Sequence, residues 1–345
     1  MDNIYDLEFR DVLEFIRLQK EPEFRSDQIW EGLYHHKLTN WEDFSSLSKN
    51  LRKKMVDFFA ISNLNPLQTI STPDKQTQKI LFQLADKDNI ETVLLRQEKR
   101  NTLCISTQVG CAVGCVFCAT GKLGFSRNLT RGEIIEQILF FFRYLAGQNE
   151  KITNIVFMGM GEPLLNYENV LSVIRTVASN RGLNFGARRI TISTIGIVPM
   201  IIKLADEGLQ VNLAVSLHAP DDETRQKLIP INKKFPISEI IKACKFYSSK
   251  TSRRITFEFV LIKGVNDKIS QARDLSQLIK GIICHVNLIP LNATPFYDGA
   301  APPPCAVRAF GKILLENGIP VSIRDSQGSE IQAGCGQLAG IQLKP

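Results

Sequence analysis

The 345-residue sequence contains no apolar run that approaches the ~18 residues of a membrane-spanning helix. Its first residues, MDNIYDLEFRDVLEF, are acidic and do not show the basic-then-apolar pattern of a secretory signal. Internal repeats and low-complexity tracts are also missing, which excludes a solenoid and a compositionally disordered chain. We therefore expect a globular, cytoplasmic protein that does not bind or cross a membrane. Its length is sufficient for two domains.

A strong excess of either charge is also missing, although the formal net charge is +7. Residues 1–60 hold nine of the 42 basic residues and twelve of the 35 acidic ones, so the later part of the chain carries the positive excess. This distribution favours an anionic partner without naming one. Any single basic pair in that part also fits an ordinary solvated surface.

The spacing of the eight cysteines excludes the disulfide framework of a small secreted protein. Three of them, Cys111, Cys115 and Cys118, lie together in CAVGCVFC. In a chain without an export signal, such a cluster indicates metal binding or redox catalysis. Three others lie in apolar segments without a motif and are assigned to packing: Cys244, Cys284 and Cys305.

Hydrophobic periodicity divides the chain into three parts. Residues 8–60 show helical periodicity in three segments, and we assign residues 1–62 to a small helical domain. Short β-like runs in residues 63–100 predict a small sheet that links this domain to the next one. Over residues 101–345 strands alternate with helices, which predicts a parallel sheet, open or curved into a full or partial barrel.

The predicted α/β part places the cysteine cluster after its first strand. Thr130 and Glu133 predict a capping box at the start of the helix that follows the cluster. Functional loops follow the carboxyl ends of strands in both open and barrel-shaped sheets. The strand candidates, in chain order, are TLCIST, NIVFMG, RRITIST, NLAVSLH, RITFEFVLI, CHVNLIPL and PVSIRD.

Two kinds of metal site fit three cysteines on one loop. Structural zinc is nearly always four-coordinate, and no second pair of Cys or His donors is visible nearby. A four-iron cluster bound by three cysteines keeps one iron without a protein ligand, where a small molecule can bind. Three cysteines are therefore a complete set of protein ligands for such a cluster, whereas zinc would require a fourth.

Polar residues and glycines recur where the predicted strands end. In GMGEP the glycines permit close backbone approach, and the carboxylate that follows can bind an ammonium group. Each residue taken alone also fits an ordinary turn. Their common position at one edge of a sheet predicts a shared binding site. The candidates are Gly161, Glu162, Ser193, Ser216, Leu217, His218 and Asn292.

The CxxxCxxC spacing resembles that of the radical S-adenosylmethionine (SAM) enzymes. Longer segments, among them GMGEPLLN, RRITISTIGIVP, SLHAP and CGQLAG, are similar to the RlmN family of adenine-C-methyltransferases and to its relative Cfr. The resemblance covers nearly the whole chain. It implies a partial (β/α)6-type radical SAM barrel, an RNA-contacting N-terminal domain and a catalytic C-terminal tail.

The resemblance also implies an activity: methylation of carbon 2 of an adenosine in the peptidyl-transferase region of 23S rRNA and of adenosine 37 in tRNA. Implied cofactors are one [4Fe–4S] cluster on the three clustered cysteines and two SAM molecules per turnover. Implied partners are these RNAs and an electron donor such as flavodoxin or ferredoxin, with the enzyme acting as a monomer. Gln108-Val109-Gly110 and Pro163 resemble the carbon-2 enzymes rather than Cfr, which acts at carbon 8.

Catalytic roles follow from the same resemblance. Carbon 2 of adenine is electron-poor and does not attack the methyl group of SAM as a nucleophile. The family pattern implies that Cys335 takes a methyl group, that a 5′-deoxyadenosyl radical activates it, and that the resulting carbon radical adds to the base. Cys104 is implied to resolve this adduct through a Cys104–Cys335 disulfide, and Glu91 to accept a proton.

A purely structural role for Cys104 and non-catalytic functions for the protein are alternatives to these roles. In TLCIST, Cys104 alternates with apolar residues and fits an ordinary buried strand position. An electron carrier or a cluster-stabilised RNA-binding protein would also fit a cluster with a basic surface. Neither needs Cys335, and a carrier does not need so many βα units.

Overall fold

The computed structural model describes residues 1–324 and 327–340, in which helices and strands alternate as the sequence predicts. The helices of these residues are α1 (Phe9–Leu18), α2 (Phe24–Tyr34), α3 (Lys49–Phe58), α4 (Ala119–Lys122), α5 (Arg131–Ala146), α6 (Tyr167–Ala178), α7 (Val198–Asp206), α8 (Asp222–Leu228), α9 (Ile237–Thr251), α10 (Ile269–Leu278) and α11 (Pro304–Glu316). The strands are β1 (Asp2–Asn3), β2 (Phe59–Ala60), β3 (Asn65–Ser71), β4 (Thr77–Gln83), β5 (Asn89–Gln97), β6 (Arg100–Cys104), β7 (Gln108–Gly110), β8 (Phe125–Asn128), β9 (Asn154–Phe157), β10 (Ile190–Thr194), β11 (Asn212–Ser216), β12 (Ile255–Leu261), β13 (Cys284–Pro290) and β14 (Val321–Ile323).

Helices α1, α2 and α3 form the N-terminal module around a shared apolar core. Parallel pairing of β1 with β2 brings the two ends of the module together. The third predicted helical segment is shorter than expected. Its helix begins only at Lys49, because the Ser48 hydroxyl accepts the N–H of Leu51 at 3.2 Å and caps α3 there. The preceding Trp41–Asp43 forms a short 3₁₀ helix instead.

The predicted α/β fold with a parallel sheet is confirmed. In the described residues the main sheet has ten strands in the order β14, β13, β12, β11, β10, β9, β6, β5, β4, β3. Seven of these strands, β6, β9, β10, β11, β12, β13 and β14, each run parallel to their neighbours within this group. Strands β3 and β14 are the edges of the sheet as described, so the barrel is partial. All carboxyl ends of the parallel strands therefore face one mouth.

The strands predicted in residues 63–100 are confirmed as β3, β4 and β5, but they do not form a small sheet of their own. Strands β3, β4 and β5 continue the main sheet by antiparallel pairing, with Val93 of β5 opposite Cys104 of β6. Their burial explains the difference, since β4 is covered on both faces: Phe82 packs edge-to-face on Phe140 of α5, with ring centroids 5.0 Å apart, and Lys79 faces the other side. A strand buried on both faces belongs inside a larger sheet.

The predicted capping box of α5 is confirmed. The Thr130 N–H donates to the Glu133 carboxylate at 2.8 Å, and the Glu133 N–H donates back to the Thr130 hydroxyl at 3.2 Å. The same helical turn holds the N-terminal module, because the Gly132 N–H donates to the Asp6 carboxylate at 2.7 Å. The module is thus fixed to the first helix after the cysteine loop.

The chain ends close to the mouth of the barrel. The last predicted strand is confirmed as β14, although Asp325, where PVSIRD ends, lies outside the described residues. Residues 327–340 form an irregular segment, here called the tail. The division into domains at residues 62 and 100 stays a prediction. None of the helices in the described part of the chain is long and apolar enough to cross a bilayer.

Candidate active site

The cysteine loop lies at the mouth and is fixed by backbone hydrogen bonds. The Cys111 N–H donates to the Gly124 carbonyl at 2.8 Å, and the Val116 N–H donates to the Leu228 carbonyl at 3.0 Å. Gly110 has a φ of 71°, and a Cβ there would lie 2.0 Å from the Gly124 oxygen. Only glycine therefore allows β7 and β8 to approach closely enough to close the loop.

The three loop thiols share one electrostatic environment. All three cysteines are partly buried. The pKa of Cys111 is raised to about 12, mainly by burial, with smaller contributions from the Glu162 carboxylate and the Cys118 thiol. Burial also raises the pKa of Cys115 well above its ordinary value, with Cys118 and Cys111 adding to the effect and Arg225 opposing it. Among the described residues, no three His, Cys, Asp or Glu side chains are close enough together to hold a single metal ion.

Arg225 provides a buried positive charge beside this loop. Its side chain is fully buried and donates to neutral oxygens, among them the Leu217 carbonyl at 2.9 Å and the Asn232 side chain at 2.6 Å, while Asp222 acts on its charge without a direct hydrogen bond between them. A buried cation without an anionic partner costs several kcal/mol. The pocket therefore favours a negatively charged, sulfur-ligated group next to Cys115, and the residues fit an iron–sulfur cluster.

Gly161 and Glu162 follow β9 as predicted and face the same loop. Gly161 has a φ of 101°, and a Cβ there would lie 2.5 Å from the Gln108 Cβ. The buried Glu162 carboxylate accepts the N–H groups of Ile195 at 2.7 Å and Leu164 at 3.0 Å. Burial nevertheless raises the pKa of Glu162 to about 7. A carboxylate desolvated in this way gains from pairing with an ammonium group.

The other predicted strand-end residues lie along the same edge. Ser193 and Ser216 are half-buried at the ends of β10 and β11, and Leu217 directly after Ser216 is buried. His218 packs its ring edge-to-face on Phe117 of the cysteine loop, with centroids 5.2 Å apart. Strand β11 therefore reaches the cysteine loop directly.

The ring of His218 is held in its neutral form. Its Nδ1 accepts the N–H of Val260 at 3.0 Å. Burial, assisted by the positive charge of Arg225, lowers the pKa of His218 to about 3. Since the unfolded chain binds this proton near pH 6.5, folding free energy from the neutral ring is fully present above that pH and is lost as the pH falls toward about 3.

We expect His218→Asn, which keeps an acceptor for Val260, to flatten the acid limb of the stability curve. Between about pH 7 and about pH 4.5 the wild type should lose about 2 to 3 kcal/mol more unfolding free energy than the variant. Urea unfolding at each pH measures this difference. The exposed His35, changed to Asn, is the control. Parallel curves for wild type and His218→Asn would show that the buried ring does not titrate as described.

The tail places Cys335 over the cysteine loop. The N–H of Ala119, which follows Cys118, donates to the Gly336 carbonyl at 2.7 Å, and the Thr120 hydroxyl donates to the Leu338 carbonyl at 2.5 Å. Asn292, which follows β13, donates its side-chain N–H to the Cys335 carbonyl at 3.0 Å. These bonds bring one predicted strand-end residue and the tail to the same mouth.

Cys104 and Cys335 are neighbours in the structure. Burial is the main cause of the raised pKa of Cys104, at the end of β6, and the Cys335 thiol is the second. Although the Cys335 residue is exposed, surrounding groups desolvate its thiol and raise its pKa to about 11, with the Glu258 carboxylate contributing. Two thiols far apart in sequence thus meet at one mouth.

Glu91 contacts the other end of the tail. Its side chain is buried on β5 and forms an ion pair with Lys79 at 2.8 Å. The second carboxylate oxygen accepts the N–H groups of Ala339 at 2.7 Å and Gly340 at 3.0 Å. Both oxygens of the predicted proton acceptor are therefore occupied by protein groups.

Sequence reasoning missed three buried charges near the mouth and misjudged one cysteine. Lys79, Arg225 and Glu258 are buried, and the only sequence signal was a charge inside an apolar strand or behind a strand end. The packing assignment is confirmed for Cys244 and Cys284 and is wrong for Cys305. Cys305 is exposed because it lies in the first turn of α11, before the buried face of that helix begins at Val307.

Comparison with known proteins gives consistent matches along the chain. Residues 105–275 match the model of the radical SAM superfamily, and residues 2–61 match the ribosomal RNA large subunit methyltransferase N-terminal domain. A probable dual-specificity RNA methyltransferase RlmN from Bacillus cytotoxicus is 45% identical over 99% of this chain and 94% of its own length. Its counterpart from Dictyoglomus turgidum is 45% identical over 100% of this chain and 98% of its own.

One solved structure is similar over its whole length. The crystal structure of a radical SAM methyltransferase from Sphaerobacter thermophilus has a TM-score of 0.96 and 44% sequence identity to this chain. The match covers 99% of this chain and 100% of the other. The two proteins therefore share one fold over their whole length.

Proposed function

The chain belongs to the RlmN family of radical SAM RNA methyltransferases, and on this premise we propose that it methylates carbon 2 of adenosine. The proposed substrates are an adenosine in the peptidyl-transferase region of 23S rRNA and adenosine 37 of tRNA. The observation that carries the proposal is that the cysteine loop, Cys104 and Cys335 share one mouth. Membership in an enzyme family argues against the electron-carrier and RNA-binding alternatives.

Family membership implies a [4Fe–4S] cluster and SAM, and favours the cluster over zinc. Cys111, Cys115 and Cys118 would hold the cluster, and Glu162 would accept hydrogen bonds from the SAM ammonium group. When bound, this pair supplies methyl groups and, after reduction, a 5′-deoxyadenosyl radical. We propose that SAM is used twice per turnover. The remaining residues of the proposed SAM site are Gly161, Ser193, Ser216, Leu217, His218 and Asn292.

Two thiols of the chain are proposed to perform the covalent steps of the reaction. Carbon 2 of adenine lies between two ring nitrogens and is too electron-poor for direct polar methylation. Cys335 is proposed to receive the methyl group on sulfur and to hold the base covalently through that carbon. Cys104 is proposed to release the product by forming a disulfide with Cys335, which must then be reduced. The two thiols lie near enough at the mouth for the charge of one to act on the other, which supports this pairing.

Glu91 is proposed as the proton acceptor, with one condition that its contacts impose. Both of its oxygens are occupied, one by Lys79 and the other by the Ala339 and Gly340 N–H groups. The oxygen that accepts both N–H groups has its lone pairs in use, so a proton from the adduct would add to the oxygen that pairs with Lys79. Proton acceptance would then neutralise the carboxylate and remove its charge pairing with Lys79.

The proposed partners follow from the substrate. A base inside a folded RNA must be turned out of its stack to reach a concave mouth, so recognition depends on RNA shape rather than on a groove code. The positive excess of the later part of the chain suits phosphate contacts. We further propose a flavodoxin or ferredoxin as electron donor, and action as a monomer in the cytoplasm.

The test is mass spectrometry of nucleosides from RNA treated with the anaerobically reconstituted protein, SAM and a reductant. We expect 2-methyladenosine from both a 23S rRNA fragment and tRNA, and none without the reductant. A second candidate, methylation at carbon 8, differs in this one measurement. Finding 8-methyladenosine alone would refute carbon 2, and finding no methylated adenosine would refute the proposed activity.

A further inference from the structure

A buried ion pair lies under the tail, away from the cysteine loop. Lys79 of β4 and Glu91 of β5 lie on one face of the sheet, since Leu81, two residues from Lys79, pairs directly with Glu91. Their side chains are only 4% and 2% exposed, and Nζ lies 2.8 Å from the carboxylate. Neither residue belongs to the cysteine loop.

Both members of the pair also bind the backbone of the tail. The Lys79 ammonium donates to the Gln332 carbonyl at 3.1 Å, three residues before Cys335. The Glu91 carboxylate accepts from the N–H groups of Ala339 and Gly340, which follow Cys335 by four and five residues. The pair therefore binds the tail both before and after Cys335 in sequence.

Stability does not explain why an ion pair occupies this position. A buried ion pair contributes little net stability, and a well-packed apolar pair of similar size often replaces it at no cost. An apolar pair, however, has no donor for Gln332 and no acceptor for the two amides. What the charges add is the fixed position of a backbone segment that has little regular structure.

The tail needs such anchors because of its composition. Gly334 and Gly336 flank Cys335, and Gly340 ends the described segment. Glycine loses more conformational freedom on folding than any other residue, so a glycine-rich segment is costly to hold in one conformation. Asn292, Ala119 and Thr120 bind residues 335–338, and Gln97 bonds Gln327 at the start of the tail. Lys79 and Glu91 add the contacts at Gln332, Ala339 and Gly340.

We propose that the Lys79–Glu91 pair is a positioning device that sets the location of the Cys335 thiol relative to Cys104 and the cysteine loop. The inference rests on the proposed function for the importance of Cys335, but not for the anchoring itself. Lys79 acts through the tail and need not touch RNA or SAM. If Glu91 served only as a proton acceptor, removing Lys79 would leave Cys335 where it is.

The test is the alkylation rate of each cysteine in the full-length, cluster-reconstituted protein without RNA, measured by peptide mass spectrometry with iodoacetamide. Two variants are compared with the wild type: Glu91→Leu, which removes the acceptor for the Ala339 and Gly340 amides, and an apolar double variant with Lys79→Met and Glu91→Leu. The double variant keeps the buried volume and is expected to fold. The exposed Cys305, on another element, is the internal control thiol.

Release of the tail is expected to make Cys335 react about tenfold faster in both variants, because its thiol is no longer held near Cys104 and the cysteine loop and the reagent reaches it from more directions. The rate at the exposed Cys305 should stay unchanged. Amide hydrogen exchange at Ala339 and Gly340 should accelerate in parallel. These readouts report position, whereas general loss of stability would also make the buried Cys244 reactive.

Unchanged rates at Cys335 and unchanged exchange at Ala339 and Gly340 in either folded variant would overturn the proposal. Alkylation of the buried Cys244 in parallel with Cys335 would also overturn it, since this is the mark of global unfolding. If Glu91→Leu does not fold because Lys79 is left buried and unpaired, the result of the apolar double variant decides. The experiment does not measure methylation. Its result therefore tests the anchoring of the tail separately from the proposed activity.

Discussion

Cys335→Ala is expected to bind SAM and RNA but to form no methylated adenosine and no covalent RNA adduct. Nothing else in the described mouth offers a thiol on a segment as exposed as this one: Cys104 is part of β6, and the other three thiols near it would hold the cluster. Loss of the group that carries the methyl carbon removes the reaction path itself. We expect at least a thousandfold loss of product, the scale for loss of a covalent catalyst.

The measurement is mass spectrometry of nucleosides after anaerobic turnover. Cys284→Ala is the matched control, because Cys284 begins β13 at the end of the sheet opposite the mouth. It removes the same side chain and should keep nearly full activity. Normal turnover by Cys335→Ala would show that this cysteine is an ordinary tail residue.

Cys104→Ala is expected to fail at a later stage and to accumulate RNA covalently bound to the protein. The variant keeps Cys335, the cysteine loop and Glu162, so methylation of sulfur and addition to the base can proceed. What it lacks is the thiol beside Cys335 that would form the resolving disulfide. Product release should fall by a hundredfold or more, in line with loss of a nucleophile.

A denaturing gel with labelled RNA detects this species as a band that survives boiling and disappears after nuclease treatment. The double variant Cys104→Ala with Cys335→Ala is the control and should show no such band. If Cys104→Ala instead turned over normally, Cys104 would be the buried strand residue that its apolar neighbours suggest. One variant is thus inactive from the start, and the other is trapped.

Local rules predicted the parts of the fold that depend on local sequence. The capping box at Thr130 and Glu133 is decided within one helical turn, and the structure contains it. Gly161 is required by close backbone approach, and its position beside a polar residue marked a strand end. The mouth could be predicted because parallel strands all end on one side.

Long-range contacts set the limits of that prediction. The placement of β3 to β5 in the main sheet depends on α5 covering Phe82, and periodicity within residues 63–100 contains no information about that helix. Lys79 and Glu91 meet each other and the tail only after the chain has folded, so they appeared as single charges in strands. Arg225 likewise acquires its meaning from Cys115, which lies far from it in sequence.

The most direct test of the account is to identify the residue that carries RNA in Cys104→Ala. After anaerobic turnover the trapped complex is digested with nuclease and protease, and the modified peptide is sequenced by mass spectrometry. The account predicts one adenosine joined through a single carbon to the sulfur of Cys335. Adenosine attached to any other residue, or no attached nucleoside while methylated RNA is released, would contradict it.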